Sequence, residues 1–379
     1  SCSSTGSVRQ ATGPPFDQNP KRVRPPAPIV RSPLLFSPAS AMKASRSEPV
    51  DVTPVWIMRQ AGRYIPEYQK IRGNNSFLTM CKTPELAAQV TLQPVERLGV
   101  DAAILFSDIL IPVEAMGVPL EFHDGKGPLL GKAIRGQKDV DSLVVPDPAE
   151  KVPFVMEAIR ILRKALDGKA PLIGFSGAPF TLASYIVEGG TSKNFIQLKK
   201  LMYEAPEVYR SLMNKIAKTV ILYLNAQIAA GAQAVQIFDT WAGVLTPGDY
   251  EEYALPYTRQ VVAGLDRKGV PVIHFANDCA TLLTAIRTLP IDVVGVDWRI
   301  PLDVAAMVVG PDKALQGNMD PTMLFHSPEK IDDCVRDVLR RGEKASSHIF
   351  NLGHGILPPT NPEHAIAMVE AVHRLGRKV

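Results

Sequence analysis

The sequence predicts an α/β fold, a single (β/α)8 TIM-like barrel, and three observations favour it. The chain has 379 residues, which suits one large barrel or two ordinary domains. Hydrophobic residues make up 46% of the chain, enough for a sizeable core. From about residue 54 onward, short apolar runs alternate with helical stretches, a pattern typical of a parallel sheet with right-handed crossovers. A doubly wound open sheet is the alternative fold.

Eight apolar, β-prone runs have the length of buried strands. They lie at residues 54–58, 103–106, 172–175, 234–238, 272–275, 293–296, 314–316 and 348–352. The helical stretches between them include residues 83–98, 152–166, 206–230, 250–268 and 328–341. Several of these begin with a capping signal, such as Ser327-Pro328-Glu329. The loop at residues 117–136 breaks the alternation and is interpreted as a hairpin.

Residues 1–46 are predicted to be a disordered leader that precedes a catalytic barrel at residues 47–379. The leader lacks apolar periodicity, is rich in Ser and Pro, and holds seven Lys or Arg and one Asp. That composition resembles an organelle transit peptide, and a tail with no targeting role is the alternative. The other 333 residues carry 35 basic and 37 acidic groups. The basic character of the chain is therefore poor evidence for a nucleic-acid partner.

Three absences narrow the function further. No stretch offers about 18 uninterrupted apolar residues, so no membrane-spanning helix is expected. The four cysteines form no C-x-x-C pair, which suits a reducing compartment rather than a disulfide framework. No H-E-x-x-H, H-x-H or H-x-C spacing is present, so the sequence gives no support for a metal site.

Polar side chains follow nearly every predicted strand, which is where barrel enzymes carry their sites. These residues are Arg59, Ser107, Asp108, Ser176, Asp239, Thr240, Asn277, Asp278, Asp297, Asn318 and His354. Any single one of them could be a helix cap or a turn residue. Their convergence on one rim predicts a functional site there.

The stretch Arg59-Gln60-Ala61-Gly62-Arg63 is the most informative part of this rim. Two guanidinium groups at a strand end need anionic partners, and Arg geometry suits bidentate binding of carboxylate or phosphate. Arg72 lies nearby in sequence and is a candidate third member. Surface arginines paired with local acids are the structural alternative.

The two histidines His354 and His274 have different interpretations. His354 lies between Gly353 and Gly355, so a ligand can approach the backbone closely. His274 falls inside an apolar strand and is interpreted as a core histidine. The segment from Gly174 to Thr181 is not a nucleophile elbow, because Ala178 stands where G-x-S-x-G needs its second Gly.

Several of these segments resemble the uroporphyrinogen decarboxylase family. PVWIMRQAGRY at residues 54–64 is similar to the family's first signature, and GFSGAPFTLASYIVEGG at residues 174–190 to its second. FSDIL at 106–110, LQGN at 315–318 and NLGHG at 351–355 also match. The resemblance runs from about residue 50 to the C-terminus, and both signatures are long and specific.

The resemblance implies a single-domain, distorted (β/α)8 barrel that works as a homodimer whose clefts face each other. It implies removal of CO₂ from the four acetate side chains of uroporphyrinogen III, which gives coproporphyrinogen III. With the Ser-rich leader, the sequence looks like a plant chloroplast form located in the stroma.

The family's site residues are carried over position by position. The residues implied to contact substrate are Arg59, Gln60, Ala61, Arg63, Arg72, Asp108, Tyr185, Thr240 and His354. Arg59 and Arg63 would hold substrate carboxylates, Asp108 the pyrrole N–H groups, and Tyr185 the reacting acetate. His354 would contact a side-chain carboxylate. Ser is more usual in the family where this chain has Thr240, but the hydroxyl is kept.

Asp108, Arg59 and Tyr185 are the predicted catalytic residues. Loss of CO₂ leaves a carbanion, and protonation of the pyrrole carbon beside the acetate supplies an electron sink without a cofactor. A fixed carboxylate at the pyrrole N–H groups would stabilise the resulting cation. The proton donor is left open between Arg59, Tyr185 and water, because Arg scarcely deprotonates.

Three other functions compete with this interpretation. Corrinoid-linked methyltransferases share the barrel superfamily but usually carry a His/Cys zinc site. A phosphate-binding barrel isomerase is a second enzyme alternative. A non-catalytic tetrapyrrole carrier would need apolar walls and arginines but no carboxylate at the pyrrole nitrogens, so Asp108 discriminates against it.

Overall fold

The computed structural model describes residues 40–123 and 127–378, and all structural statements concern these residues. The α-helices are α1 (Ser40–Ser45), α2 (Pro66–Asn74), α3 (Phe77–Lys82), α4 (Pro84–Leu98), α5 (Ile111–Ala115), α6 (Gln137–Ser142), α7 (Pro148–Lys151), α8 (Pro153–Ala165), α9 (Pro179–Glu188), α10 (Ile196–Glu204), α11 (Pro206–Ala230), α12 (Pro247–Asp249), α13 (Leu255–Ala263), α14 (Leu283–Ile286), α15 (Leu302–Val309), α16 (Pro328–Gly342) and α17 (Pro362–Leu375). Short 3₁₀-helices cover Ala242–Val244 and Pro321–Phe325, and a π-helix covers Tyr250–Ala254.

The strands are β1 (Ala103–Ile104), β2 (Leu120–His123), β3 (Gly127–Leu130), β4 (Leu172–Gly177), β5 (Ala234–Asp239), β6 (Val272–Ala276), β7 (Val293–Gly295), β8 (Ala314–Met319) and β9 (His348–Leu352). Seven of them form one parallel sheet in the order β1-β4-β5-β6-β7-β8-β9. The order follows the chain without reversal, whereas a doubly wound sheet reverses at a switch point. The predicted barrel is thus confirmed over the alternative open sheet.

Residues 54–58, the first predicted strand, close the barrel through an isolated bridge and a few backbone hydrogen bonds instead of a regular strand. Val55 makes an isolated parallel bridge to Phe350 of β9, and the Phe350 amide donates to the Pro54 carbonyl at 2.8 Å. On its other side, the Asp101 amide donates to the Val55 carbonyl at 2.7 Å, just before β1 begins. This segment therefore lies between the last and first strands of the sheet, and its sparse bonding accounts for the distortion of the barrel.

The predicted hairpin is confirmed. Strands β2 and β3 pair antiparallel, with Leu120 opposite Leu130. A further antiparallel bridge joins Leu129 to Gly190, just after α9. The hairpin is thereby attached to the end of a helix that forms one side of the barrel mouth.

The predicted helices are confirmed, and their ends follow the usual chemistry. Proline stands at the first helical positions of α4, α8, α11 and α16, where the missing N–H costs nothing. The 25-residue helix α11 ends at Gly231, whose φ of 119° is open to glycine but strained for other residues. The stretch predicted as one helix at residues 250–268 is divided between the π-helix and α13.

Helix α1 corrects the predicted boundary of the leader at residue 46. Ala41, Ala44 and Ser45 are buried, and α1 packs against β9. Its residues line a small cavity with Trp56 and with the first residues of several strands, among them Ala102, Ala234, Ile273 and Ile349. Residues 40–46 therefore belong to the folded body, where α1 covers the amino-terminal end of the barrel. The rest of the predicted leader, including its transit-peptide interpretation, lies outside the described residues.

Candidate active site

The loop after residues 54–58 turns sharply at Arg59. Arg59 has a φ of 61°, a left-handed conformation that costs a non-glycine residue roughly 1 kcal/mol or more. Its exposed side chain crosses Gly355, where a Cβ would collide with the Arg59 side chain. Glycine would adopt this φ without strain, so the arginine at position 59 is a candidate functional residue.

Gln60 fastens this loop to the barrel. Its side chain is fully buried, with Oε1 accepting from the Ile57 amide at 3.0 Å and Nε2 donating to the Ala102 carbonyl at 3.1 Å. The Tyr64 hydroxyl donates to the Gln60 carbonyl at 2.7 Å. Ala61 is half-buried beside it. The oxygen and the nitrogen of the Gln60 side-chain amide are thus both hydrogen-bonded within the protein. This side chain therefore holds the loop that carries Arg59 and Arg63.

Arg63 and Arg72 lie on one side of the mouth, around Tyr68. Burial raises the pKa of the Tyr68 hydroxyl, and the positive charges of Arg72 and Arg63 oppose that rise. Arg72 also donates to the Asn75 carbonyl at 2.9 Å. The Tyr68 ring packs edge-on against Phe106, with centroids 5.9 Å apart. The two arginines are therefore connected, through an aromatic pair, to the segment that carries Asp108.

Asp108 follows β1 and is half-buried. Its Oδ1 accepts from the Leu110 amide at 2.8 Å, which fixes the carboxyl group at the start of the next turn. Burial raises the pKa of Asp108 from 3.8 to about 6, while the Leu110 N–H and the charge of Arg59 oppose the rise. At neutral pH this carboxyl is mainly ionised, and it faces Arg59 in a poorly hydrated site.

Tyr185 lies on α9 and joins the same group. Burial raises the pKa of its hydroxyl, a hydrogen bond with Trp241 lowers it, and the charges of Asp108 and Arg59 act in opposite directions. The Tyr185 and Trp241 rings meet edge-on at 6.0 Å. Arg59, Asp108 and Tyr185 are therefore close enough to interact electrostatically. Thr240, half-buried, lies between the last residue of β5 and Trp241.

His354 lies on the other side of Arg59. Its ring packs edge-on against Phe275 at 6.2 Å and Trp298 at 6.3 Å. Burial lowers the pKa of His354 from 6.5 to about 4, with further lowering by Arg59 and Arg299 and opposition from Asp297. The imidazole is therefore neutral at pH 7. A neutral imidazole can donate one N–H to an anion while the neighbouring arginines supply the charge.

A row of aromatic rings lines the mouth between these polar groups. Phe175 of β4, Phe238 of β5 and Phe275 of β6 contact one another in sequence, with centroid distances of 5.6 and 6.2 Å. The row ends at His354. An apolar ring surface bordered by arginines and one carboxylate suits an aromatic polyanion whose body is apolar and whose edge is charged.

The sequence did not single out three residues of the mouth, Trp241, Trp298 and Arg299. The Arg299 guanidinium lies 3.9 Å over the Trp298 ring and pairs with Asp278 at 2.8 Å. Trp241 contacts Tyr185, as described above. Both tryptophans lie one or two residues beyond a polar strand end, in Asp239-Thr240-Trp241 and Asp297-Trp298. The signal that identifies them is an aromatic or basic residue within three positions of a predicted strand end.

The described part of the chain lacks two other functional features. Within residues 40–123 and 127–378, no three His, Cys, Asp or Glu side chains gather in a way that could hold a metal ion. Across the same part of the chain, no helix is both long and apolar enough to span a membrane.

Comparison with known proteins places the chain in a family. The family model described as "Uroporphyrinogen decarboxylase (URO-D)" matches residues 37–375. A uroporphyrinogen decarboxylase from Geobacter metallireducens is 56% identical over 337 residues, which is 89% of this chain and 98% of that protein. One from Myxococcus xanthus is 56% identical over 335 residues, covering 88% and 96% of the two chains.

Solved structures share the fold at lower similarity. A methyltransferase from Methanosarcina mazei matches with a TM-score of 0.78 at 23% identity, covering 89% of this chain and 99% of that one. A putative vitamin-B12 independent methionine synthase from Listeria monocytogenes matches with a TM-score of 0.53 at 12% identity, covering 87% and 96%. At these identities the matches establish the barrel fold alone.

The relatives overturn the predicted location in the chloroplast stroma. They are bacterial proteins, from Geobacter, Myxococcus and Carboxydothermus among others, at 54–56% identity. The plant chloroplast-type assignment has no support for the same reason. The family assignment itself is confirmed by the match over most of the chain: this protein belongs to the uroporphyrinogen decarboxylase family.

Proposed function

We propose that this protein removes CO₂ from the four acetate side chains of uroporphyrinogen III and gives coproporphyrinogen III, a step of porphyrin biosynthesis. The observation that carries the proposal is the single mouth that combines an aromatic floor, arginines and the ionised Asp108. Uroporphyrinogen presents pyrrole rings with N–H groups at its centre and carboxylates at its edge. The family relationship supports the same reaction.

In this proposal the arginines hold the carboxylate edge. Arg59, Arg63 and Arg72 supply charge-assisted hydrogen bonds, each worth roughly 1.5–3 kcal/mol when well formed. Neutral His354 and the Thr240 hydroxyl donate to further carboxylate oxygens. Gln60 and Ala61 complete the binding loop. Because the oxygen and the nitrogen of the Gln60 side-chain amide are both hydrogen-bonded within the protein, its proposed role is to position the loop.

Asp108 acts on the pyrrole nitrogens at the centre of the substrate. A proton adds to the pyrrole α-carbon next to the carbon that bears the acetate arm, and the ring becomes a cation whose charge is shared between the nitrogen and the acetate-bearing carbon. The C–CO₂⁻ bond then breaks, its electrons enter the ring system, and CO₂ leaves. A second proton on the methylene gives the methyl group while the ring loses one, so each acetate consumes one proton. A fixed carboxylate at the N–H groups stabilises the cationic intermediate in a site of low polarity.

The proton donor is Arg59, Tyr185 or a bound water. Burial keeps the Tyr185 hydroxyl protonated at neutral pH, so it can donate a hydrogen bond to the reacting acetate. Arg59 is fully charged under the same conditions and acts through that charge. Because the pyrrole itself accepts the electrons, the proposed mechanism uses no cofactor.

The barrel domain is proposed to act as a homodimer. Large apolar side chains are exposed on the hairpin and on α10, namely Leu129, Ile196 and Tyr203, at 49%, 54% and 52%. Their exposure supports a protein–protein contact near the hairpin. Sedimentation equilibrium tests it: the mass of two chains is expected, and the mass of one chain at micromolar concentration contradicts it.

A product assay tests the proposed function. The purified protein is incubated anaerobically with uroporphyrinogen III, with and without EDTA, and the hepta-, hexa-, penta- and tetracarboxylic products are separated by chromatography. We expect stepwise conversion to the tetracarboxylic product in both arms. Binding without CO₂ release would indicate a tetrapyrrole carrier. Stoichiometric zinc whose removal stops the reaction would contradict the cofactor-free mechanism and favour the chemistry of a zinc methyltransferase.

A further inference from the structure

The carboxylate of Asp239 is buried behind the sheet, away from the mouth. Strand β5 alternates, so Val235 and Ile237 pack on the helices while Phe238 contributes to the aromatic row. Asp239 is the next residue on the helix side, and it is fully buried. A buried carboxylate is costly unless hydrogen bonds or opposite charges stabilise it. The groups that contact the Asp239 carboxylate therefore indicate its role.

One oxygen of Asp239 connects β5 with α9. Asp239 Oδ1 accepts from the Thr181 hydroxyl at 2.9 Å. The same Thr181 oxygen accepts from the Trp241 amide at 3.2 Å. The Ala178 amide donates to the Phe238 carbonyl at 2.8 Å, which adds a backbone bond between the same two elements. The start of α9 and the end of β5 are thus held together by three consecutive hydrogen bonds.

The other oxygen of Asp239 faces buried groups of the neighbouring elements. Its Oδ2 lies 3.8 Å from Nε2 of His274, which is also fully buried on β6. Tyr250, the first residue of the π-helix, lies on the same side, and the Asp239 charge adds to the effect of burial in raising the pKa of its hydroxyl. Single-turn π-helices are frequent next to functional sites. The carboxylate is therefore enclosed by side chains from β6 and the π-helix as well as α9.

The hydrogen bonds of Thr181 also fix the surroundings of Tyr185. Thr181 and Tyr185 are four residues apart on α9, so they lie on one face of the helix. Trp241, whose amide is held by Thr181, packs its ring against Tyr185 at 6.0 Å and Phe195 at 5.1 Å. Thr240, between Asp239 and Trp241, is carried by the same segment. Two of the proposed substrate contacts thus depend on one buried carboxylate.

We propose that Asp239 and Thr181 are positioning residues that set Tyr185 and Thr240 against the reacting part of the substrate. The inference rests on the proposed function, since it assigns these residues to the same reaction. Neither residue touches substrate. A displacement of about 1 Å of a catalytic group can cost on the order of a hundredfold in rate, so loss of this connection reduces turnover more than binding.

The test compares Thr181→Val with Thr181→Ser and with the matched control Thr219→Val. Valine has the shape of threonine but cannot donate to Asp239 or accept from Trp241. Thr219 is another buried threonine, but its hydroxyl donates to the Lys215 carbonyl of its own helix at 3.0 Å. We expect Thr181→Val to lower kcat about 10- to 100-fold with KM within about twofold. Thr181→Ser restores kcat, and Thr219→Val leaves it unchanged.

Each outcome decides the inference. An unchanged kcat in folded Thr181→Val, a change in KM alone, or failure of Thr181→Ser to restore kcat overturns it. If Thr181→Val does not fold, Asp239→Asn takes its place, and a wild-type kcat in that folded variant overturns the inference equally. The wild-type protein is assayed in parallel, and its failure to release CO₂ would refute the proposed function instead.

Discussion

The two ends of the barrel are built on opposite principles. The mouth holds a strained Arg59, an Asp108 whose pKa burial raises to about 6, and a His354 whose pKa burial lowers to about 4. The amino-terminal end is covered by α1, whose buried side chains are all small, namely Ser40, Ala41, Ala44 and Ser45. The mouth thus keeps groups that cost folding energy, and the opposite end supplies packing. Mutations at the mouth should therefore affect function, whereas mutations at the amino-terminal end should affect stability.

The largest effect on stability is expected at the covered end. Ala44→Asp places a carboxylate in a fully buried position with no cationic partner designed for it, which should cost about 3 kcal/mol or more of unfolding free energy. Lys43→Asp, on the exposed side of the same helix, is the control. Denaturant unfolding measures both. An unfolding free energy for Ala44→Asp equal to that of the control would show that α1 does not belong to the fold.

A smaller effect, on binding rather than on stability, is expected at the mouth. Arg59→Ala removes a charge-assisted hydrogen bond worth roughly 1.5–3 kcal/mol, so KM should rise about tenfold or more, while Tm is kept because alanine retains the Cβ and the same backbone strain. Arg210→Ala, in an exposed ion pair on α11, is the matched surface change. Steady-state kinetics and thermal unfolding are measured together. Unchanged substrate affinity in Arg59→Ala would refute its assignment to the carboxylate edge.

The smallest effect is a pH dependence set by Asp108. Its carboxylate form stabilises the proposed cation, so kcat should fall about tenfold between pH 7 and pH 5 as the group protonates through a pKa of about 6. A rate profile measured on folded protein across this range provides the test. A flat profile down to pH 5 would show that the ionised carboxyl is not required.

The raised pKa of Asp108 has an opposite consequence for the stability of the fold, because the ionised form destabilises it. A carboxyl whose folded pKa is raised from 3.8 to about 6 favours folding below pH 4, and that contribution is lost as the pH rises through 6. The ionised group therefore costs the fold up to roughly 3 kcal/mol at pH 8. Asp108→Asn should be more stable than the wild type at pH 8 and no different at pH 4. Ionisation of Asp108 is therefore expected to favour turnover and to lower the stability of the fold.

Much of the fold could be predicted because its signals are periodic. Strands β4 to β9 begin within the predicted runs, and α4, α8, α11 and α16 match the predicted helices to within two residues. Helix α1 was missed because six residues, SAMKAS, are too short to show a 3.6-residue period. Its alanines carry no sign of burial until the barrel end that they cover is known. Composition alone therefore placed the boundary of the leader too late.

The site was predicted in part, for a similar reason. Residues at strand ends can be read from the chain, and the structure brings Asp108, Tyr185 and His354 each into electrostatic range of Arg59. The connection from Asp239 through Thr181 to Trp241 joins residues about 60 positions apart in the chain. Only the packing of α9 on β5 brings them together, and no local pattern encodes that contact.

The central claim, that the Asp108 charge drives decarboxylation at this mouth, is tested most directly by Asp108→Asn. Its kcat for CO₂ release from uroporphyrinogen III is measured beside the wild type and Asp147→Asn, which alters an exposed helix cap. We predict a fall in kcat of about 10²- to 10³-fold for Asp108→Asn, a fold that survives intact, and no change in the control. A wild-type kcat in folded Asp108→Asn would contradict the account.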